Sequence, residues 1–205
     1  MTSIITGDII KSRQKSDPNS WLSSLKEALS FLEKDTKLWE IYRGDSFQIE
    51  IKDAKQSFEA CIYIKACIKM QKGLDVRLAI GIGNKSFVGD TITESNGEAF
   101  QFSGETLETL KKEKVNLKVK TDNEQLDNEL NLYFKLALAI MDKWTSNSAE
   151  IVKLTIEQPK ALQQELARQI GISQNTVSER QKRAKLDEIL ELDKMYRQKI
   201  NTLLV

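Results

Sequence analysis

The apolar residues of this chain follow two spacings, and the point beyond which only the helical one remains limits what it can fold into. In "KLWEIYRGDSFQIEIK", residues 37–52, apolar and polar side chains alternate on both sides of Gly44-Asp45. Phe47, Ile49 and Ile51 alternate there with Gln48 and Glu50. A period of two suits a half-buried strand and no helix, so the segment predicts a β-hairpin turning at the Gly-Asp pair. From Asp122 the steps become three and four: Leu126, Leu130, Tyr133, Ala137, Ile140, Met141 and Trp144 fall on one helical stripe. A sheet-forming part is therefore followed by an all-helical one.

The remaining segments fill in the order. "TSIITGDIIKSR" (2–13) reads as a short buried strand that ends at an acid, Asp8. "DPNSWLSSLKEALSFLEKD" carries helix-start residues at Asp17-Pro18-Asn19-Ser20, then Trp21, Leu22, Leu25, Leu29 and Leu32 at helical spacing. Residues 53–72 predict a helix stopped by Gly73, and "DVRLAIGIG" a third apolar strand ending in glycines. "GEAFQFSGETLETLKKE" predicts a short strand or turn and then a helix opening near Ser103, and "NLKVKT" one more strand. That succession is an α/β (α+β) sheet domain over 1–121 with helices packed on it. An amphipathic connecting helix over 122–145 would break at Ser146-Asn147-Ser148 and lead to a helical module over 146–205.

Composition excludes more than it selects. Lys plus Arg (31) balance Asp plus Glu (30) in 205 residues, so no global field draws this chain to nucleic acid or an anionic membrane. There is no histidine, which removes Ser-His and Cys-His nucleophiles and most zinc hydrolases. Cys61 and Cys67, six apart in "EACIYIKACIKM", face different ways on a helix and read as reduced core thiols. No apolar run reaches membrane-spanning length, and a cytoplasmic protein without a membrane partner is expected.

"KALQQELARQIGISQNTVSERQKRAK" (160–185) has helix-turn-helix spacing. Ala167 is small where two helices would cross, Gly171 permits a left-handed turn, and Val177 would plug the second helix into the core. Leu162, Leu166, Ile170 and Ile172 are expected to fill the other inside positions, with Ser173 as N-cap. The outer face would then offer Gln174, Asn175, Thr176, Ser178 and Gln181 to base edges, and Arg180, Lys182, Arg183 and Lys185 to phosphates, with the Ser173 cap beside them in the expected DNA-binding set. Over these residues the chain resembles helix-turn-helix regions of bacterial regulators, which implies DNA as partner and, for useful affinity, a homodimer.

Two acids stand at strand ends, Asp8 after the first strand and Asp45 at the hairpin tip. If the first strand lies between the hairpin strands, they can meet at one edge, and two carboxylates can hold a hard cation that binds a triphosphate. Each alone is an ordinary turn residue. "GDIIKSR", "YRGDSFQIEI" and "VRLAIGIG" together are similar to the palm domain of class III nucleotide cyclases and GGDEF-type diguanylate cyclases, a ferredoxin-like sheet. "TGDIIKSR", "RGDSFQ", "RLAIGIG" and "GEAFQFSG", followed by the helix-turn-helix, resemble the SatD family along nearly the whole chain.

The palm resemblance implies Asp8, Asp45 and the Ile9 carbonyl as ligands of Mg²⁺ or Mn²⁺. It implies Lys11, Ser12, Arg13, Arg43 and Gly44 beside a nucleoside triphosphate or cyclic nucleotide. The chain departs from cyclases where they place an Asn and an Arg at the transition state. Aligned from Gly97, those places hold Gln101 and Glu105, and a carboxylate there repels phosphate. The expectation is a regulator that senses a nucleotide and binds DNA. A nucleotidyl cyclase or transferase, or a dimerisation scaffold, are the alternatives.

Overall fold

Strand β1 (Thr2–Ile10) is buried on both sides, as a central strand is. In a computed structural model, which describes residues 1–14 and 17–203, it pairs antiparallel with two neighbours. These are β3 (Ser46–Ile51) and β4 (Asp75–Gly83). Strand β2 (Trp39–Tyr42) pairs with β3, and β5 (Leu117–Lys120) runs parallel to β4, giving the order β2-β3-β1-β4-β5. The fold is α/β, a five-stranded mixed sheet with packed helices followed by a helical region. The first strand lies between β3 and β4, not between the two hairpin strands: the short, half-buried β2 sits at the rim, where one neighbour suffices.

Ile5 and Ile9 point to one face, covered by α1 (Asn19–Leu32) and α2 (Ser57–Lys69). Ile4 points to the other, against Ala99 and Phe100 of α3 (Glu98–Glu113). Helix α3 opens at Glu98, a turn and a half before the expected Ser103. Phe100 and Phe102 mimic strand alternation, but Ala99, Phe100, Ser103, Thr106, Leu107 and Leu110 are buried at steps of one, three and four. Gly97 enters the helix at φ 146.

Helix α4 (Glu124–Met141) closes the β5 edge. Its Asn131 side chain accepts the Val119 N–H (2.8 Å) and donates to the Val119 carbonyl (2.9 Å), replacing a missing strand. Its buried set is Leu130, Phe134, Ala137, Leu138 and Met141, with Tyr133 and Ile140 half-buried. The chain breaks at residues 142–145 rather than at Ser146-Asn147-Ser148. Thr145 caps the next helix by accepting the Ser148 N–H, so that triplet is the first turn of α5 (Ser146–Glu157).

Helices α6 (Gln163–Ile170), α7 (Gln174–Ala184) and α8 (Leu186–Leu203) complete the described chain. Helix α8 returns to the sheet part, where the Tyr196 hydroxyl donates to the Ala54 carbonyl (3.0 Å) and its ring packs near Phe58 and Phe134. One buried cluster joins Ile9 and Leu78 of the sheet to Val152, Ala184, Ile189 and Ile200 of the tail. Cys61 and Cys67 are free and buried. Among the described residues no helix is long and apolar enough to cross a membrane.

Candidate functional site

Asp8 and Asp45 do come to neighbouring positions. Asp8 lies opposite Ser46 on β3, and the Ile9 N–H donates to the Asp45 carbonyl at 3.0 Å. Their carboxylates are nevertheless engaged separately. Arg77, opposite Asp8 on β4, donates from Nη1 to both Asp8 oxygens (3.2 and 3.0 Å), and Lys111 of α3 lies 3.9 Å away. Asp45 accepts the Ser12 hydroxyl at 2.6 Å. A divalent cation seeks about six oxygen ligands, and among the described residues no three Asp, Glu or Cys side chains gather as such a set. Mg²⁺ or Mn²⁺ fits this place only if Arg77 leaves Asp8.

The other residues placed beside a nucleotide divide. Ser12 is buried and committed to Asp45, whereas Lys11 and Arg13 are exposed. Arg43, Gly44 and Asp45 form the three-residue hairpin loop, with positive φ at Arg43 (52) and Gly44 (88). Burial raises the Tyr42 hydroxyl pKa; Arg43 opposes that shift while Asp8 and Glu40 add to it. Gln101 and Glu105 are exposed on α3.

The helix pair α6–α7 is built as its spacing predicts. Glu165 reaches back to accept the Leu162 N–H (2.7 Å), Gly171 turns the chain at φ 68, and Ser173 accepts the Thr176 N–H. Leu166, Ala167 and Val177 are buried with Ile151 and Leu154 of α5, and Ile170 and Ile172 pack on them. Leu162 does not belong to this core: it precedes the first helical turn and is 67% exposed.

Ser173, Gln174, Asn175, Thr176, Lys182 and Arg183 are exposed, and Ser178 is half-buried. Arg180 and Gln181 turn inward. Arg180 pairs with Glu150 of α5, and Gln181 accepts from Gln163 (2.8 Å) and donates to Thr155 (3.4 Å). Val177 is fully buried, so residues three and four further on share its inner face. Glu179 stands on the outer face beside Lys182.

The SatD family model matches residues 3–199. This chain belongs to the SatD family. No curated protein matches it.

In this SatD-family chain the structure also assembles residues that no spacing connects. Where β1 ends and β4 begins, a cleft of about 790 Å³ opens between the C-terminal ends of α2 and α3 and the start of α5. Lys11, Lys69, Lys72, Arg77, Lys111 and Lys114 line it, together with two acids, Asp75 and Asp142. Both acids are held by the buried Lys65, whose Nζ is 2.6 Å from each. The sole sequence signal for this grouping is lysine at helix ends, which is common for reasons of its own.

Proposed function

We propose that this SatD-family protein is a cytoplasmic, homodimeric DNA-binding regulator with a ligand-sensing sheet half. The observation that carries this reading is the α6–α7 pair: a glycine turn and a serine cap leave Gln174, Asn175, Thr176, Lys182 and Arg183 outward on one helix. Amide and hydroxyl side chains at a helix start suit base edges in the major groove, and the later cations suit phosphates. One such unit makes few phosphate contacts, so two copies on paired half-sites are the working form. The β-α-β-β-α-β succession with sheet order β2-β3-β1-β4 supports a ferredoxin-like, cyclase-type palm for the sheet half.

The test is fluorescence anisotropy against genomic fragments over a salt series. Binding should weaken steeply with salt. Lys182→Ala with Arg183→Ala should lower the log–log salt slope by about two, and Asn175→Ala should relax sequence preference. Absence of any salt-sensitive binding refutes the reading. Arg180→Ala is a poor probe, because it unpairs Glu150 inside the unit.

A second reading places a Mg²⁺- or Mn²⁺-bound nucleotide at Asp8 and Asp45, favoured by their neighbouring positions. It requires Arg77 to release Asp8, so Arg77→Gln should strengthen Mn²⁺ binding in a calorimetric titration. If Arg77→Gln binds no more tightly than the parent, that reading fails.

A further inference from the structure

The cleft at the strand ends has a charge imbalance that the fold does not use up. Asp75 and Asp142 are neutralised from beneath: Lys65 bonds both, and Lys69 adds a 3.2 Å contact to Asp75 and donates to the Asp142 carbonyl (2.7 Å). At the cleft's other side Arg77 holds Asp8 (3.0 Å), and Lys111 pairs with Glu108 (3.1 Å) while lying 3.9 Å from Asp8. Lys11 and Lys114 are then added to a lining whose carboxylates are already matched. Lysines at helix C-termini complement the macrodipole, which accounts for Lys69 and Lys111. It does not account for Lys11, which follows a strand; Arg77, within a strand, is accounted for by Asp8.

Hydrogen-bond donors converge on the same space. Helix α5 begins there, with Thr145, Ser146 and Asn147 in the lining. Its third N–H is capped by the Thr145 side chain and its fourth bonds the Thr145 carbonyl. The N–H groups of Ser146 and Asn147 therefore remain for whatever enters the cleft. Asn116 adds an amide, already donating to Asp142 at 3.0 Å. A concave site with surplus cations and a helix start suits an anion carrying several charges on closely spaced oxygens.

We propose that this cleft binds a small polyphosphate group, two or three linked phosphates. The cations set the charge of the ligand, and the α5 N–H groups orient one phosphate. The site does not use the Asp8–Asp45 pair as metal ligands and does not require Arg77 to move. Its wall is also in contact with the DNA-binding unit: Trp144 lines the cleft, and its indole N–H donates to the carbonyl of Ala184, the last residue of α7 (2.9 Å). Helix α5 itself packs on α2 and carries Glu150, the partner of Arg180. On the DNA-binding reading, polyphosphate occupancy is thus coupled to α7, and each ligand changes the affinity of the other by the same factor.

Inorganic triphosphate titrated into the full chain by calorimetry tests the site. Saturable binding is expected, and Lys11→Gln with Lys114→Gln should weaken it roughly a hundredfold, about tenfold per charge-assisted contact. Lys26→Gln, on the exposed face of α1 and outside the cleft lining, should leave it unchanged. Sulfate should bind far more weakly, and ATP or GTP run beside triphosphate reveal whether a nucleoside adds affinity. No saturable binding, or equal affinity in the Lys11/Lys114 variant, overturns the proposal. A chain that passes these tests and yet binds no DNA refutes the regulator reading alone. One that binds both independently refutes the coupling.

Discussion

At the scale of single residues, Lys65 is the most exacting position. Its side chain is 2% exposed and its ammonium lies 2.6 Å from carboxylates on β4 and just past α4. A buried charge is tolerated only while its partners stay in place, and removing one member of such a group costs about 3–5 kcal/mol. Lys65→Ala should lose about 3 kcal/mol in urea denaturation, the low end because the Asp142 side chain is 37% exposed. An unchanged midpoint would show that water already shares this site. Nothing in "EACIYIKACIKM" marks Lys65 as buried, because its partners lie 10 and 77 residues away. Asp8 was legible as a strand-end acid, but Arg77 as its partner was hidden by register, which spacing alone does not give. The inward turn of Arg180 was readable in principle, since it follows from helical spacing after Val177.

At the scale of elements, β4 and α3 approach unusually closely. A Cβ added to Gly81 would stand 2.2 Å from the Ala99 carbonyl oxygen and 2.4 Å from the Ser103 nitrogen, both helix backbone. Gly81 is therefore more than a strand-end glycine: it is the groove into which α3 lies. Gly81→Ala should destabilise the fold by about 1–3 kcal/mol, the range for overpacking, with α3 shifted away from the sheet. A thermal midpoint equal to the parent's would show that α3 is free to slide. The hairpin, α1 and the α6–α7 turn were legible because local chemistry decides them: a Gly-Asp tip, an Asp-Pro-Asn-Ser start, a glycine at φ 68. The start of α3 was not, because Phe100 and Phe102 satisfy a period of two and only the sheet surface selects the helix.

At the scale of the whole molecule, α2 is the spine. It is buried from Ser57 to Ile68 except at Glu59, with the sheet on one side and α5 and α8 on the others. Burial pushes the Cys67 thiol up to about 12 from an ordinary 9.0, with smaller opposing contributions from Lys153 and Tyr63, and burial raises Cys61 as well. Both thiols should be inert to an aromatic disulfide reagent at neutral pH and become reactive together in one unfolding transition. An unfolded thiol ionises near 9.0 while the folded Cys67 holds its proton to about 12. Stability is therefore full below pH 9 and falls as pH climbs toward 12. Labelling of one cysteine well before the other would show that the tail detaches independently.

That the helical tail covers a helix of the sheet part has a consequence for how such a chain can change over evolutionary time. Helix α2 has no side left to face water. A gene fusion that transplanted residues 146–205 onto another protein would leave behind an apolar wound and carry away half of its dressing. The two halves are then inherited as one unit, which changes by substitution in place and not by exchanging parts.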